Sequence, residues 1–178
     1  MTVNEKVLIL LDSDVIIHLF KAGKISLLFE LYPGRLRMLD VVLNELLKNR
    51  TVNKIVENLF LLKQVTVISY PTELLNEYVR LKDKIRGEGE RACLIYCKHN
   101  QHIIASSNTS DIIPFCEENS IAYLTTLDIF SVAIHRKLIT QNEANEFIKV
   151  ILSKNSFLCC SSIDEHIKRH FKNDKLLY

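Results

Sequence analysis

At 178 residues, with 48% hydrophobic and 25% charged positions, the chain is long enough to bury a full core without disulfide or metal staples, and too apolar to be disordered. A formal net charge of +2 permits nucleic-acid binding without the strong basic stripe of a dedicated binder. With no signal peptide and no apolar run of about 18 residues, we expect one cytoplasmic domain and no membrane partner.

The first apolar run, Val7 to Leu11, predicts a short strand buried on both faces, as in a parallel sheet covered by helices. It stops at Asp12-Ser13-Asp14, after which Val15, Ile16, Ile17, Leu19 and Phe20 predict a helix capped by Ser13, with Asp14 in its first turn. Asp12 then lies just past the carboxyl end of a central strand, where open α/β sheets build their ligand sites. A second helix follows from Ile25 to Leu31 and ends at Tyr32-Pro33-Gly34. Leu36 to Leu39 predicts a strand, and Asp40 opens a helix whose apolar series is interrupted by Glu45. Helix is predicted again over residues 51–63, then a strand over Val65 to Ile68 and a helix capped by Thr72.

The charge run KDKIRGEGE, Lys82 to Glu90, carries Gly87 and Gly89, which we read as a source of backbone freedom, and a helix starts at about Glu90. His102 to Ala105 predicts a strand, SSNTSD a polar turn, and Asp111 to Glu118 a short helix. Ile121 to Leu124 is the last strand candidate. Thr125-Thr126-Leu127-Asp128 leads into a helix to about Lys137, and Gln141 to Ser153 forms another. A C-terminal amphipathic helix is predicted over about residues 162–173, with Ile163, Ile167 and Phe171 on one face. This order predicts a three-layer α/β/α fold around a mostly parallel sheet of about five strands.

Five cysteines without a CxxC pair read as reduced core thiols, including the adjacent Cys159 and Cys160. Cys97, His99 and His102 match no established zinc spacing. His166 and His170, in the charged stretch HIKRHFK, read as solvated and lack the Glu of a hydrolytic HExxH.

Taken in succession, four segments resemble the PIN-domain nucleases, over about residues 6–160. LLDSDVIIHLF resembles the family's first motif, and VVLNELL supplies Glu45 where the family has a second acid in an apolar helix. GEGERACLIYC places Gly89 and Glu90 at the third, and SIAYLTTLDIFSVAIHRKLI resembles the closing strand, turn and helix. The resemblance implies a metal-dependent ribonuclease in which Asp12, Glu45 and Glu90 hold Mg²⁺ or Mn²⁺, with Asp14 orienting the first acid. Such an ion would activate water and hold charge on the leaving oxygen of an RNA phosphodiester.

The chain departs from the family at the end of the fourth strand, where IIASSNTSDI aligns Asn108 with an acid and leaves Ser107 as a supporting residue. Asp111, as a metal ligand, or Asp128, as a catalytic residue, could supply the missing carboxylate. Lys82, Lys84, Arg86 and Arg91 flank the Glu90 turn and read equally as candidate RNA contacts or as a solvated face. The resemblance also extends to toxins held inactive by a partner protein, and a chain of this size with an amphipathic tail could pair with an antitoxin or with itself as a homodimer. Two other readings stay open. One is a catalytically silent PIN-like module that binds RNA or protein, favoured by Asn108. The other is a haloacid-dehalogenase-like phosphatase with Asp12 as nucleophile and Asp14 as general acid, which would need a later acidic pair that the chain lacks.

Overall fold

A computed structural model describes residues 7–48 and 64–177, so the helix expected over residues 51–63 lies outside the described residues. Five strands, β1 (Ile9–Leu11), β2 (Leu36–Leu39), β3 (Thr66–Ile68), β4 (Ile103–Ala105) and β5 (Tyr123–Leu124), form one all-parallel sheet in the order β3-β2-β1-β4-β5. Ile9 pairs with Leu36 on one side and Ile103 on the other, and Leu11 lies opposite Ala105. The chain builds β1, β2 and β3 outward in one direction and then crosses back to lay β4 on the other side of β1. The strand order therefore reverses between β1 and β4, and a crevice opens at their carboxyl ends.

Helices cover both faces and complete the α/β/α architecture. They are α1 (Ser13–Lys21), α2 (Ser26–Leu31), α3 (Asp40–Lys48), α4 (Leu75–Arg80), α5 (Glu88–Asn100), α6 (Thr109–Asn119), α7 (Thr126–His135), α8 (Gln141–Ser153) and α9 (Ile163–Arg169). Short 3₁₀ turns at Thr72–Leu74 and Asn173–Leu177 complete the described elements. Among the described residues, no helix is long and apolar enough to cross a membrane. All three residues of β1 and of β4 are buried, which explains why these strands carry apolar side chains on both faces. In α7, every residue from Thr126 to Ala133 is buried, as expected of a helix enclosed between its neighbours.

Several local details differ from the sequence reading, among them the start of α6 at Thr109 inside the expected polar turn. Helix α1 starts at Ser13 itself, and Asp12 takes the N-cap position without a side-chain capping bond, which leaves its carboxylate to face the crevice acids. The C-terminal helix is shorter than expected and ends at Arg169. His166, expected in solvent, is only 2% exposed because α9 packs on α7 and α8 and turns the ring inward onto Asp128. His170, one turn later, is exposed and stacks on the His166 ring. All five cysteines are free, as expected, and only Cys159 among them is less than fully buried.

Candidate active site

The two central strands deliver the first residues of the site. Asp12 ends β1, and its backbone N–H donates to the Ala105 carbonyl at 2.9 Å, which extends the β1–β4 ladder by one residue. Asp14, in the first turn of α1, receives the Ser107 backbone N–H on Oδ2 at 2.7 Å and the Ser106 hydroxyl at 3.4 Å. The turn after β4 is thereby tied to the turn after β1.

Glu45 and Glu90 come from α3 and α5, which pack against each other. Glu45 accepts from the backbone N–H of Gly89 at 2.9 Å and from the Ser13 hydroxyl at 3.3 Å. Glu90 is buried and accepts from the Ser106 hydroxyl at 3.1 Å and from the Asn108 amide at 3.1 Å. Ser106 therefore contacts both Asp14 and Glu90, while Asn108 also accepts from the Ser110 hydroxyl at 2.8 Å. Both ends of the Asn108 amide are engaged, so it positions Glu90.

Burial and mutual repulsion dominate the electrostatics. Loss of solvent, then the neighbouring charges of Asp14, Glu90 and Glu45, hold the Asp12 carboxyl well above the usual carboxylate range. Burial raises Asp14 to about 6, against the pull of its hydrogen bonds from Ser107 and neighbouring groups. Burial likewise raises Glu90 to about 7, with Asp14 and Asp111 adding repulsion. Two buried oxygens, Asp12 Oδ1 and Asp14 Oδ1, have no hydrogen-bond partner among the described residues. A buried acceptor without a donor is costly unless a cation or proton meets it. The donor set is carboxylate oxygen, which suits a hard cation such as Mg²⁺ or Mn²⁺. Asp12, Asp14, Glu45 and Glu90 are thus the residues that could hold one.

A groove of about 750 Å³ runs away from these acids. Asp14, Ser107 and Asn108 line its inner end, and Phe20, Phe157 and Lys21 line its outer part. Phe157 is 78% exposed and Phe20 37% exposed, so two aromatic faces meet solvent beside the acid cluster. Lys21 Nζ donates to the Lys154 carbonyl at 2.7 Å and the Ser156 hydroxyl at 2.7 Å, and Lys154 Nζ returns a bond to the Lys21 carbonyl at 3.0 Å. Each lysine thus caps the other helix's C-terminal end, where the dipole favours positive charge. His18 lies at the groove wall, shares a 3.0 Å hydrogen bond with Thr126, and is lowered to about 4 by burial, which keeps it neutral near pH 7.

Of the remaining expected site residues, Ser107 joins the cluster through its backbone, and its hydroxyl pairs with Thr126 at 2.8 Å. Asp111 acts on Glu90 through its charge, while its own carboxylate accepts from Ser110. Asp128 is not brought to the cluster. It is buried at the start of α7, where it closes a capping box with Thr125, pairs with Lys175 at 2.6 Å and meets His166 at 2.9 Å. Arg91 is also unsuited to touch RNA. It is 2% exposed, donates to the Ile85 carbonyl at 2.6 Å and lies over the Tyr78 ring. Lys82, Lys84 and Arg86 are exposed. The sequence reading missed Phe157, Lys21 and Lys154, whose positions follow only from the packing of α1 beside the segment after α8. No protein-family model matches this chain, and no curated protein matches it either.

Proposed function

We propose that the protein is a PIN-like endoribonuclease that hydrolyses RNA phosphodiester bonds with Mg²⁺ or Mn²⁺ held by Asp12, Glu45 and Glu90, with Asp14 beside them. The observation that carries this reading is the convergence of four carboxylates at the β1–β4 crevice, two of them with a buried oxygen that no hydrogen bond satisfies among the described residues. A divalent ion bound there supplies a Lewis acid for the phosphoryl group and a water activated near neutral pH. The chain's own residues hold the acids in place. Ser106 spans Asp14 and Glu90, Asn108 fixes Glu90, and the Gly89 N–H and Ser13 hydroxyl fix Glu45. The groove with its two exposed aromatic rings suits a flexible single strand, whose bases can stack on them.

The test is Mn²⁺-dependent cleavage of single-stranded RNA by wild type and Asp12→Asn. The variant removes one charge and keeps the shape, so cleavage is lost while the fold survives. Full activity in purified Asp12→Asn, or hydrolysis of a small phosphomonoester with RNA left intact, overturns the reading. A second reading is favoured by Asn108, which brings a neutral amide where an acid would add charge. In that reading the protein binds RNA, or a protein partner, without cutting. Retained RNA binding with no cleavage at any Mn²⁺ concentration would support it. The nuclease reading extends to a cytoplasmic toxin restrained by an antitoxin, for which growth arrest by wild type but not by Asp12→Asn is the test.

A further inference from the structure

Away from the acid cluster, the segment between α8 and α9 brings a different set of ligands together. Among the described residues, Cys159, Cys160 and His166 are the set of three metal-ligand side chains whose ligand atoms all lie within 4.8 Å of one another. That spacing is close to what a tetrahedral ion needs, since Zn–S distances near 2.3 Å and Zn–N near 2.0 Å put neighbouring ligand atoms roughly 3.5–4 Å apart. The imidazole is prepared as a ligand. Its Nε2 meets Asp128 Oδ1 at 2.9 Å, and its Nδ1 is buried with no hydrogen-bond partner among the described residues. A carboxylate on one ring nitrogen orients the ring and makes the other nitrogen more basic, the arrangement that commonly supports metal-bound histidines.

We propose that Cys159, Cys160 and His166 form a binding site for a soft divalent cation of the zinc class, with a fourth position left for solvent. The charges balance. Two thiolates neutralise the dication, and the buried Asp128 already has Lys175 as its counter-charge at 2.6 Å. There is also a way in, because Cys159 and His166 line a cavity of about 260 Å³ together with Tyr123, Arg169 and His170. The ligands are soft, so this site and the carboxylate cluster select different ions. Bound metal would fasten α9 and the segment before it onto α7, where Asp128 begins the helix. The site does not depend on the nuclease reading.

The experiment uses the full chain, reduced and stripped of metal with a chelator, and titrates it with Co²⁺ and then Zn²⁺. The expected result is a near-ultraviolet thiolate-to-cobalt band that saturates at one equivalent and is erased by Zn²⁺. Cys159→Ser, Cys160→Ser and His166→Gln each weaken Co²⁺ binding at least ~10-fold. Asp12→Asn leaves the band unchanged, since the acid cluster offers oxygen alone. Zn²⁺ also shields Cys159 and Cys160 of the wild type from alkylation, read by peptide mass, which needs no variant to fold. The proposal is overturned if no thiolate band forms, if the band persists unchanged in both serine variants, or if Zn²⁺ leaves Cys159 alkylated as fast as before.

Discussion

Gly89 packs against Glu45 so closely that a methyl group on its Cα would lie 2.8 Å from Glu45 Oε2 and 2.9 Å from Val42 Cγ2. The same residue donates its backbone N–H to the other oxygen of that carboxylate. Glycine is therefore needed here for closeness, since Gly89 is an ordinary residue of α5 and does not adopt a left-handed conformation. Gly89→Ala pushes Glu45 and Val42 away at a cost of about 1–3 kcal/mol. We expect Mn²⁺-dependent cleavage to fall roughly 10- to 100-fold, as misplaced catalytic groups do. Urea unfolding and cleavage rates of the variant check both figures.

Asn108→Asp exchanges the amide that donates to Glu90 for a carboxylate facing it. Without metal the two acids repel, so the variant melts at a lower temperature than wild type above neutral pH. With Mg²⁺ the added charge is an asset, and calorimetric titration should show tighter binding than wild type. Asp128→Asn in the same titration leaves Mg²⁺ affinity unchanged, because both oxygens of Asp128 already face other groups.

Asp128 is instead a stability residue. Burial pushes its carboxyl up, but the hydrogen bond from His166 and the charge of Lys175 outweigh that and hold it below its ordinary value. Asp128→Ala leaves Lys175 buried without its counter-charge, which costs about 3–5 kcal/mol. Denaturant unfolding should show that loss, while the folded fraction keeps its cleavage rate.

The acid cluster also sets the direction of the pH dependence. Asp14 and Glu90 are raised by burial to about 6 and about 7, from ordinary values of 3.8 and 4.5. A raised acid supports the fold fully below its unfolded pKa and loses that support as pH rises through its folded one. His18, lowered to about 4, works in the opposite sense below its ordinary value of 6.5. From about pH 7 to about pH 8, where an unfolded His18 is mostly neutral, the acids therefore dominate. Metal-free protein should lose stability across that range, and saturating Mn²⁺ should flatten the loss. A melting temperature that rises over this range without metal would contradict the assignment.

Phe157 offers its ring to solvent at the outer part of the groove. Base–aromatic stacking contributes about 1–3 kcal/mol, so Phe157→Ala should weaken binding of a single-stranded oligoribonucleotide roughly 5- to 150-fold. Measured by fluorescence anisotropy in chelator, the effect is independent of cleavage. Binding of an RNA duplex, whose bases are already stacked, should barely change.

Much of this arrangement was legible in the chain. The apolar run that became β1 fitted a strand buried on both faces, that of β4 read as a strand, and the residues just after such strands come to lie at the sheet's carboxyl edge. Glu45 stood out as a charge inside an apolar helix, and Glu90 as an acid opening one. Asp128 misled because the TTLD pattern fits a capping box as well as a site, and the residues that claim it lie 38 and 47 positions later. Arg91 looked like one charge in a solvated run, yet the Tyr78 ring and the Ile85 carbonyl enclose it. His166 was misjudged for the same reason, since only the docking of α9 turns it inward. Local patterns report periodicity and caps. They do not report which distant side chain fills a pocket.

The crossed lysines of the groove have a mechanical consequence. Lys21 and Lys154 each donate to the carbonyl of the other, so two exposed bonds tie the same pair of helix ends together, and replacing either lysine weakens the tie at both ends. Amide exchange at the C-terminal ends of α1 and α8 should then quicken together when either lysine is replaced, and the wall that carries Phe157 should loosen with them.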